Sequence, residues 1–278
     1  MRSRSTRVAV ALLTLTAMTA LTPTTGADTI TLDASRDATI YQNNPDNSNG
    51  AGSTMFAGDN GMGSPRRALV GFDVAGHVPT GATINSVELI LTLQGVAGTD
   101  ATPRTIELHS VLSNWGEGTT GAGMGGGGTG QGFPANPGDA TWSQNSFGTS
   151  SWTNAGGDFS ATASGSAVVS QSLDTAYTWG STAAMVSDVQ HWLDSPGSNF
   201  GWLLLGDEAG TQTFRQFYTR EESDPAFRPE LVIDFTPAAV PEPGSVALLG
   251  VGAVIGAACR RRLRRAASTS PAPSPSRD

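Results

Sequence analysis

Short stretches of alternating apolar and polar residues constrain the fold of this chain more than any other feature. In residues 83–93 the alternation places four apolar side chains on one face: Val87, Leu89, Leu91 and Leu93. A period of two residues is typical of a half-buried β-strand. Clusters of Gly, Pro, Asn and Asp separate further apolar runs, at residues 68–72, 106–112, 202–205, 214–218 and 231–235. The pattern predicts an all-β, antiparallel sandwich or barrel.

One segment departs from this pattern and has apolar residues at helical spacing: Met185, Val189, Trp192 and Leu193. Ser181 or Thr182 is available as N-cap, and Pro196 lies where a helix would stop. We therefore predict a single short helix that covers an end or edge of the sandwich.

A glycine-rich insertion occupies residues 116–138, where eleven of 23 residues are Gly. Ordering so much glycine is costly in backbone entropy, which predicts a long surface loop. The Ser/Thr/Gly-rich region that follows contains Trp142, Phe147, Trp152 and Phe159, so we expect part of it to fold back onto the sandwich.

The charge of the region between the two ends is strongly negative. Residues 28–239 contain seven Arg, no Lys and 22 Asp or Glu, which gives a net charge of −15. Such a surface repels polyanions and argues against nucleic acid as a partner. The region also lacks cysteine, since the one Cys of the chain is Cys259, so disulfides cannot stabilise it.

Residues 1–27 have the layout of a secretory signal peptide, with three arginines, an apolar run at 8–21 and small residues up to Ala27. The alternative is an N-terminal membrane anchor, but the apolar run is shorter than the roughly 20 residues that a spanning helix needs.

The C-terminal region 240–265 combines Pro241, Glu242 and Pro243 with an apolar stretch at 244–258 and an arginine cluster. A 15-residue helix spans only about 22 Å, which suits transient membrane insertion. The region resembles the PEP-CTERM sorting signal, and the resemblance implies that an exosortase at the inner membrane processes a secreted protein destined for the cell surface or extracellular matrix. The alternative is an ordinary single-pass anchor. The Ser/Pro-rich residues 266–278 are predicted to form a disordered tail.

Several blocks of the central region resemble the DNRLRE domain, which is carbohydrate-binding module family 96. They are residues 67–74, 78–84, 188–192, 199–202, 217–221 and 228–233. The resemblance covers most of residues 28–235 apart from the glycine-rich insertion, and Thr219 stands where Ser is usual. It implies a jelly-roll-like β-sandwich on secreted, polysaccharide-associated proteins, with sugar binding in some members. The expected architecture is thus an antiparallel jelly-roll-like β-sandwich (28–236) with one short helix, flanked by a signal peptide and a transmembrane sorting helix.

No catalytic motif is present in the sequence. His77, His109 and His191 occur in unrelated contexts, with His109 predicted on the solvent face of a strand. Glu221 and Glu222 are a poor catalytic pair because adjacent strand residues point to opposite faces. We therefore expect a protein that is not an enzyme.

Acidic and amide residues suggest a calcium site, because calcium takes several oxygen ligands. Our candidate ligands are Asp33, Asp37, Asp46 and Asp207, with Asn43, Asn44, Asn47 and Glu208 nearby in sequence. The spacing matches no known calcium loop, and the alternative is that these are solvated turn residues.

Aromatic residues in polar, loop-like sequence suggest a sugar-binding face, since sugar rings stack on exposed aromatic rings. The candidates are Tyr41, Trp142, Phe147 and Trp152. Trp192, Trp202 and Phe235 have apolar neighbours and are predicted to be core residues, and Arg220 with Glu221 is predicted to be a structural ion pair.

Two functions remain open on the sequence. The first is an exported binding module for extracellular polysaccharide. A neutral glycan is favoured, since an anionic one would need calcium bridging or a basic patch at Arg66, Arg67 or Arg215. The second is a structural matrix or surface-layer protein without a specific ligand site. Exposed aromatics would favour the first, and burial of all six tryptophans would favour the second.

Overall fold

The computed structural model describes residues 26–122 and 130–239. Most of the predicted signal peptide, the sorting residues Pro241, Glu242 and Pro243, and the predicted tail 266–278 lie outside these ranges. Within them, no helix has the length and apolar character needed to cross a membrane.

The described residues form thirteen strands and one α-helix. The strands are β1 (Asp28–Asp33), β2 (Arg36–Tyr41), β3 (Asn47–Ser48), β4 (Thr54–Asp59), β5 (Pro65–Gly71), β6 (Thr83–Val96), β7 (Arg104–Ser110), β8 (Phe133–Pro134), β9 (Gly165–Val169), β10 (Thr175–Trp179), β11 (Trp202–Leu205), β12 (Arg215–Tyr218) and β13 (Glu230–Thr236), and the helix is α1 (Ala183–Asp194).

Eleven of these strands pair in antiparallel fashion into two sheets that share β4, while β3 and β8 pair separately. The first sheet is built around the long strand β6, which pairs with β13, β12 and β10, while β1 extends it beyond β13 and β4 beyond β12. The second sheet contains β2, β4, β5, β11, β7 and β9. The prediction of an all-β sandwich with one helix is confirmed.

The main core lies between the two sheets. The alternation of β6 places Val87, Leu89, Leu91 and Leu93 in it, fully buried as predicted. The second sheet contributes Val70, Trp202 and Leu204, among others. Burial of these apolar side chains is the main force that holds the sheets together.

Helix α1 packs its apolar stripe on this core. Its buried residues are the four predicted from spacing: Met185, Val189, Trp192 and Leu193. Thr182 caps the N-terminus, since its hydroxyl accepts a hydrogen bond from the Met185 N–H at 3.0 Å. The Ile84 N–H donates to Gln190 Oε1 at 2.9 Å and ties the helix to β6.

A second apolar cluster covers the outer face of the second sheet. It combines Ala38, Ile40, Leu69 and Leu203 from strands with Val111, Trp115, Ala140, Trp142 and Trp152 from the region between β7 and β9. The expectation that this aromatic-bearing region folds back onto the sandwich is therefore confirmed.

The described parts of the glycine-rich segment are mostly turn and irregular backbone that is hydrogen-bonded to the sandwich. The Ala51 N–H donates to the Thr120 carbonyl at 2.8 Å, and β8 pairs with β3. A Cβ on Gly116 would lie 1.8 Å from the Gly138 carbonyl oxygen. Residues such as Gly118, Thr119 and Gln131 are exposed, so these parts agree with the predicted surface loop. Glycine permits the close backbone approach that ties the loop to the sandwich.

Candidate functional site

The aromatic residues predicted to stack on sugar do not form an exposed face. Tyr41, Trp142 and Trp152 are 0%, 8% and 5% exposed, and Phe147 is half-buried. The expectation of exposure is wrong for the first three. Trp152 donates its indole N–H to the Thr141 carbonyl at 2.8 Å, and the Arg67 guanidinium stacks on Trp142 at 4.8 Å. These aromatic residues lie in loop-like sequence, but they are buried, and polar groups that are close in space contact them.

The prediction that His109 faces solvent is also wrong. The second apolar cluster covers that face of β7, so His109 is buried, with its ring edge-on to Phe159 at 5.3 Å. His109 Nδ1 lies 2.7 Å from the Ser160 carbonyl oxygen. Leu112, predicted to continue the apolar face, is exposed because β7 ends at Ser110.

The predicted calcium ligands are dispersed. Asp33 and Asp46 are exposed. Asp207 forms an ion pair with Arg104, in which Asp207 Oδ2 lies 2.6 Å from Arg104 Nη1. Asp37 instead meets two residues that are remote in sequence, Glu117 and Glu221. Each of the three offers a carboxylate oxygen, and these oxygens all lie within 4.8 Å of one another. We call this group the carboxylate cluster.

Strand β2, an irregular segment at Glu117 and the turn after β12 position the carboxylate cluster. Asp37 Oδ2 accepts the Arg220 main-chain N–H at 2.9 Å, while the Asp37 N–H donates to Glu117 Oε1 at 2.9 Å. The Arg220 side chain pairs with Glu117 at 2.6 Å and with Glu221 at 3.0 Å. The predicted ion pair between Arg220 and Glu221 is present, and Glu117 completes it.

Electrostatic crowding is strong in the carboxylate cluster. Burial, followed by repulsion from Glu221, raises the pKa of Asp37 well above its usual range, against the hydrogen bond from the Arg220 N–H. Burial also raises the pKa of Glu221, although the Arg220 charge opposes this. The pKa of Arg220 is raised chiefly by its hydrogen bond with Glu117.

A polar groove of about 500 Å³ lies beside the start of β2. We call it the Arg36 groove; its lining residues include Ser35, Arg36, Asp73, Asn114, Pro196, Gly197, Asn199 and Phe200. Arg36 is held by Asn114 Oδ1 at 3.0 Å and the Trp115 carbonyl at 2.7 Å, and it lies 4.2 Å from the Trp115 ring centre. These contacts hold the Arg36 side chain in one position without the help of a ligand.

The arginines considered as a basic patch do not form one. Arg66 and Arg215 are buried, and Arg215 pairs with Asp100 at 3.1 Å. Arg67 is held by both oxygens of Glu208 at 2.8 Å. Their positive charges are thus engaged in contacts within the fold and do not offset the negative charge of the surface.

The sequence pointed to Asp37 but missed its partners as ligands. The sequence suggests Glu221 as an ion-pair residue and as a poor catalytic partner of Glu222, but not as a metal ligand. Glu117 lies in the glycine-rich segment, where no periodic pattern predicts which way a side chain points. A short-range signal for Glu117 does not exist, because its neighbours in the cluster are 80 and 104 positions away.

Comparison with known families supports the two resemblances. Residues 28–121 match the model of carbohydrate-binding module family 96, and residues 239–262 match the PEP-CTERM protein-sorting motif. The resemblance to carbohydrate-binding module family 96 is thus confirmed for residues 28–121, and for the blocks after residue 121 it stays a prediction. No curated protein matches the chain. The sorting motif indicates an exported protein that is sorted through the cell envelope to the surface, with transient membrane anchoring.

Proposed function

We propose that this chain is a non-catalytic module that binds a neutral extracellular polysaccharide at the cell surface. The Arg36 groove carries the proposal, because Ser35, Arg36, Asp73 and Asn114 of its lining lie within the segment that matches carbohydrate-binding module family 96. An exosortase is the expected processing partner, given the sorting motif.

The groove has the chemistry that sugar recognition needs. Exposed Asp73 and Asn114 offer carboxylate and amide groups to hydroxyls, and Asn114 both donates and accepts. Pro196 and half-buried Phe200 add apolar surface for the C–H face of a ring. This combination of a few fixed polar groups and some apolar surface is typical of small-ligand sites.

Charge favours a neutral ligand. The region 28–239 has a net charge of −15, and Arg67, Arg104, Arg215 and Arg220 are paired with carboxylates. An acidic polysaccharide would meet a repulsive field over most of this surface. Among the described residues that line the groove, Arg36 is the one basic side chain that such a polymer would meet.

A structural matrix protein is the second candidate. The observation that favours it is the burial of all six tryptophans: Trp115, Trp142, Trp152, Trp179, Trp192 and Trp202. With these tryptophans buried, a carbohydrate would have no tryptophan ring to stack on, and its binding would depend on the polar Arg36 groove.

Blocking the groove tests the proposal. A Cβ on Gly197 meets no atom within 4 Å, so Gly197→Trp adds bulk at the groove without disturbing the fold. Gly180 has equally open surroundings, lies outside the groove lining and gives the matched control Gly180→Trp. The full-length chain in detergent is titrated with dextran, galactomannan and polygalacturonate.

We expect saturable binding to a neutral polysaccharide that Gly197→Trp weakens at least tenfold and Gly180→Trp leaves unchanged. Equal binding by both variants would place the site elsewhere. A folded chain that binds none of the polymers would favour the matrix-protein function.

A further inference from the structure

We propose that Asp37, Glu117 and Glu221 bind a calcium ion. They come from β2, from the start of the glycine-rich segment and from the turn after β12. Two oxygens that share a calcium ion at 2.3–2.6 Å lie at most about 5 Å apart. The observed limit of 4.8 Å between the carboxylate oxygens of the cluster agrees with this geometry.

Unpartnered oxygens point to a missing ligand. Asp37 is fully buried, and its Oδ1 has no hydrogen-bond partner among the described residues. Glu221 Oε2 is buried and equally unpartnered within the described ranges. A buried carboxylate oxygen without a partner is costly, and a bound cation would satisfy both atoms.

The Arg220 guanidinium does not pair with these two oxygens. It engages both oxygens of Glu117 and only Oε1 of Glu221, which leaves Asp37 Oδ1 and Glu221 Oε2 unused. A carboxylate oxygen carries two lone pairs, so Glu117 Oε2, which accepts one hydrogen bond, retains capacity for a cation. The three carboxylates and one guanidinium leave a formal charge of −2, which a divalent cation neutralises.

The donor set favours calcium over other common ions. All three side chains supply hard oxygen ligands, and neither His nor Cys belongs to the cluster. Calcium accepts six to eight oxygens in flexible geometry, so bidentate carboxylates and water can complete its shell. Magnesium requires a near-ideal octahedron at shorter distances, which three carboxylates on separate segments are less suited to build.

The site would add a cation bridge between segments that hydrogen bonds and the Arg220 ion pairs already join. Glu117 opens the glycine-rich segment, and calcium would fasten it to β2 and to the turn at Glu221. This proposal is independent of carbohydrate binding, because the cluster residues do not line the Arg36 groove.

Calorimetric titration of the full-length chain in detergent, after treatment with EDTA, tests the site with CaCl2 as the probe. We expect one calcium ion per chain, and at least tenfold weaker binding in Asp37→Asn and in Glu221→Gln. At a hundredfold excess over Kd, calcium should raise Tm by about 5–10 °C. MgCl2 at the same concentration should give a smaller shift.

Asp33→Asn and Asp46→Asn are the matched controls, since both remove an exposed carboxylate outside the cluster. Both should bind calcium as the parent does. Circular dichroism checks folding, and Glu221→Gln, at a half-buried position, decides the matter if Asp37→Asn does not fold. Absence of calcium binding by the parent, or unchanged binding in Glu221→Gln, would overturn the proposal.

Discussion

The two apolar clusters on opposite faces of the second sheet are built in different ways. The main core faces the first sheet and contains Val70, Trp202 and Leu204, whereas Leu69 and Leu203 of the same strands point into the outer cluster. Strands and α1 close the main core, while irregular segments close the outer one. The second sheet is therefore buried on both faces. Only the face towards the main core is covered by elements whose sequence is periodic.

The side-chain contacts of the two clusters differ as well. Aromatic rings pack on one another in the main core, with Trp192 and Trp202 at 4.5 Å. In the outer cluster arginines stack on aromatic rings, with Arg36 on Trp115 at 4.2 Å and Arg67 on Trp142 at 4.8 Å. A layer held by irregular backbone and arginine contacts should open more readily than one held by strand ladders.

The largest effect is expected from Trp202→Ala in the main core. Trp202 is fully buried, packs at a tilt against Trp192 and donates its indole N–H to Asp188 Oδ2 at 2.8 Å. Its truncation should lower the free energy of unfolding by about 3–5 kcal/mol, because it leaves a cavity and removes one of the two hydrogen bonds that Asp188 Oδ2 accepts. Urea denaturation followed by circular dichroism measures this loss.

Trp202→Phe serves as the control and should lose less, since it keeps most of the buried ring. A loss below about 1 kcal/mol for Trp202→Ala would show that the main core tolerates cavities and would remove the distinction between the two clusters.

A smaller, local effect is expected from Trp152→Ala in the outer cluster. Trp152 covers strand residues such as Leu203 and donates to the Thr141 carbonyl at 2.8 Å. Its loss should cost about 2–3 kcal/mol in local opening. Amide hydrogen exchange should accelerate in residues 139–160 while β6 and β13 keep their protection.

Trp152→Phe removes the indole hydrogen bond but retains an aromatic ring, and it should give an intermediate rate. Equal acceleration in β6 would contradict the comparison, because the two clusters would then unfold as one unit.

The sequence predicted the main core well because its elements are periodic. The alternation around Leu89 and the helical spacing around Val189 each reflect a single buried face. Both patterns involve residues that are only a few positions apart, so they can be recognised without knowledge of the tertiary structure.

The outer cluster and the candidate sites could not be predicted in the same way. The neighbours of Trp152 in sequence are polar, and its burial depends on Leu203, 51 positions later. The carboxylate cluster has the same difficulty, since Asp37 meets Glu117 and Glu221 only through the fold. Composition near a residue indicates a loop, but it does not show what the loop covers.

The smallest effect concerns pH and has opposite signs at two aspartates, Asp59 and Asp158. Burial, with repulsion from Glu208 and Asp207, raises the pKa of Asp59 in β4 to about 6. Burial also acts on Asp158 beside the outer cluster, but hydrogen bonds from the Thr153 and Asn154 N–H groups outweigh it and lower the pKa of Asp158. An unfolded Asp has a pKa of about 3.9.

Between pH 4 and 6 the folded chain therefore holds a proton on Asp59 that the unfolded chain lacks, so this contribution to stability falls as pH rises. Asp59→Asn should raise the free energy of unfolding by about 1–2 kcal/mol at pH 7, with the gain shrinking towards pH 4. Asp158→Asn should instead destabilise at pH 7, because the stability from a depressed pKa is present above pH 4 and is lost only below it. Urea denaturation of parent and variants at pH 4, 5, 6 and 7 measures both differences. If the difference between Asp59→Asn and the parent does not change with pH, the raised pKa of Asp59 is ruled out, and with it the electrostatic contrast between Asp59 and Asp158.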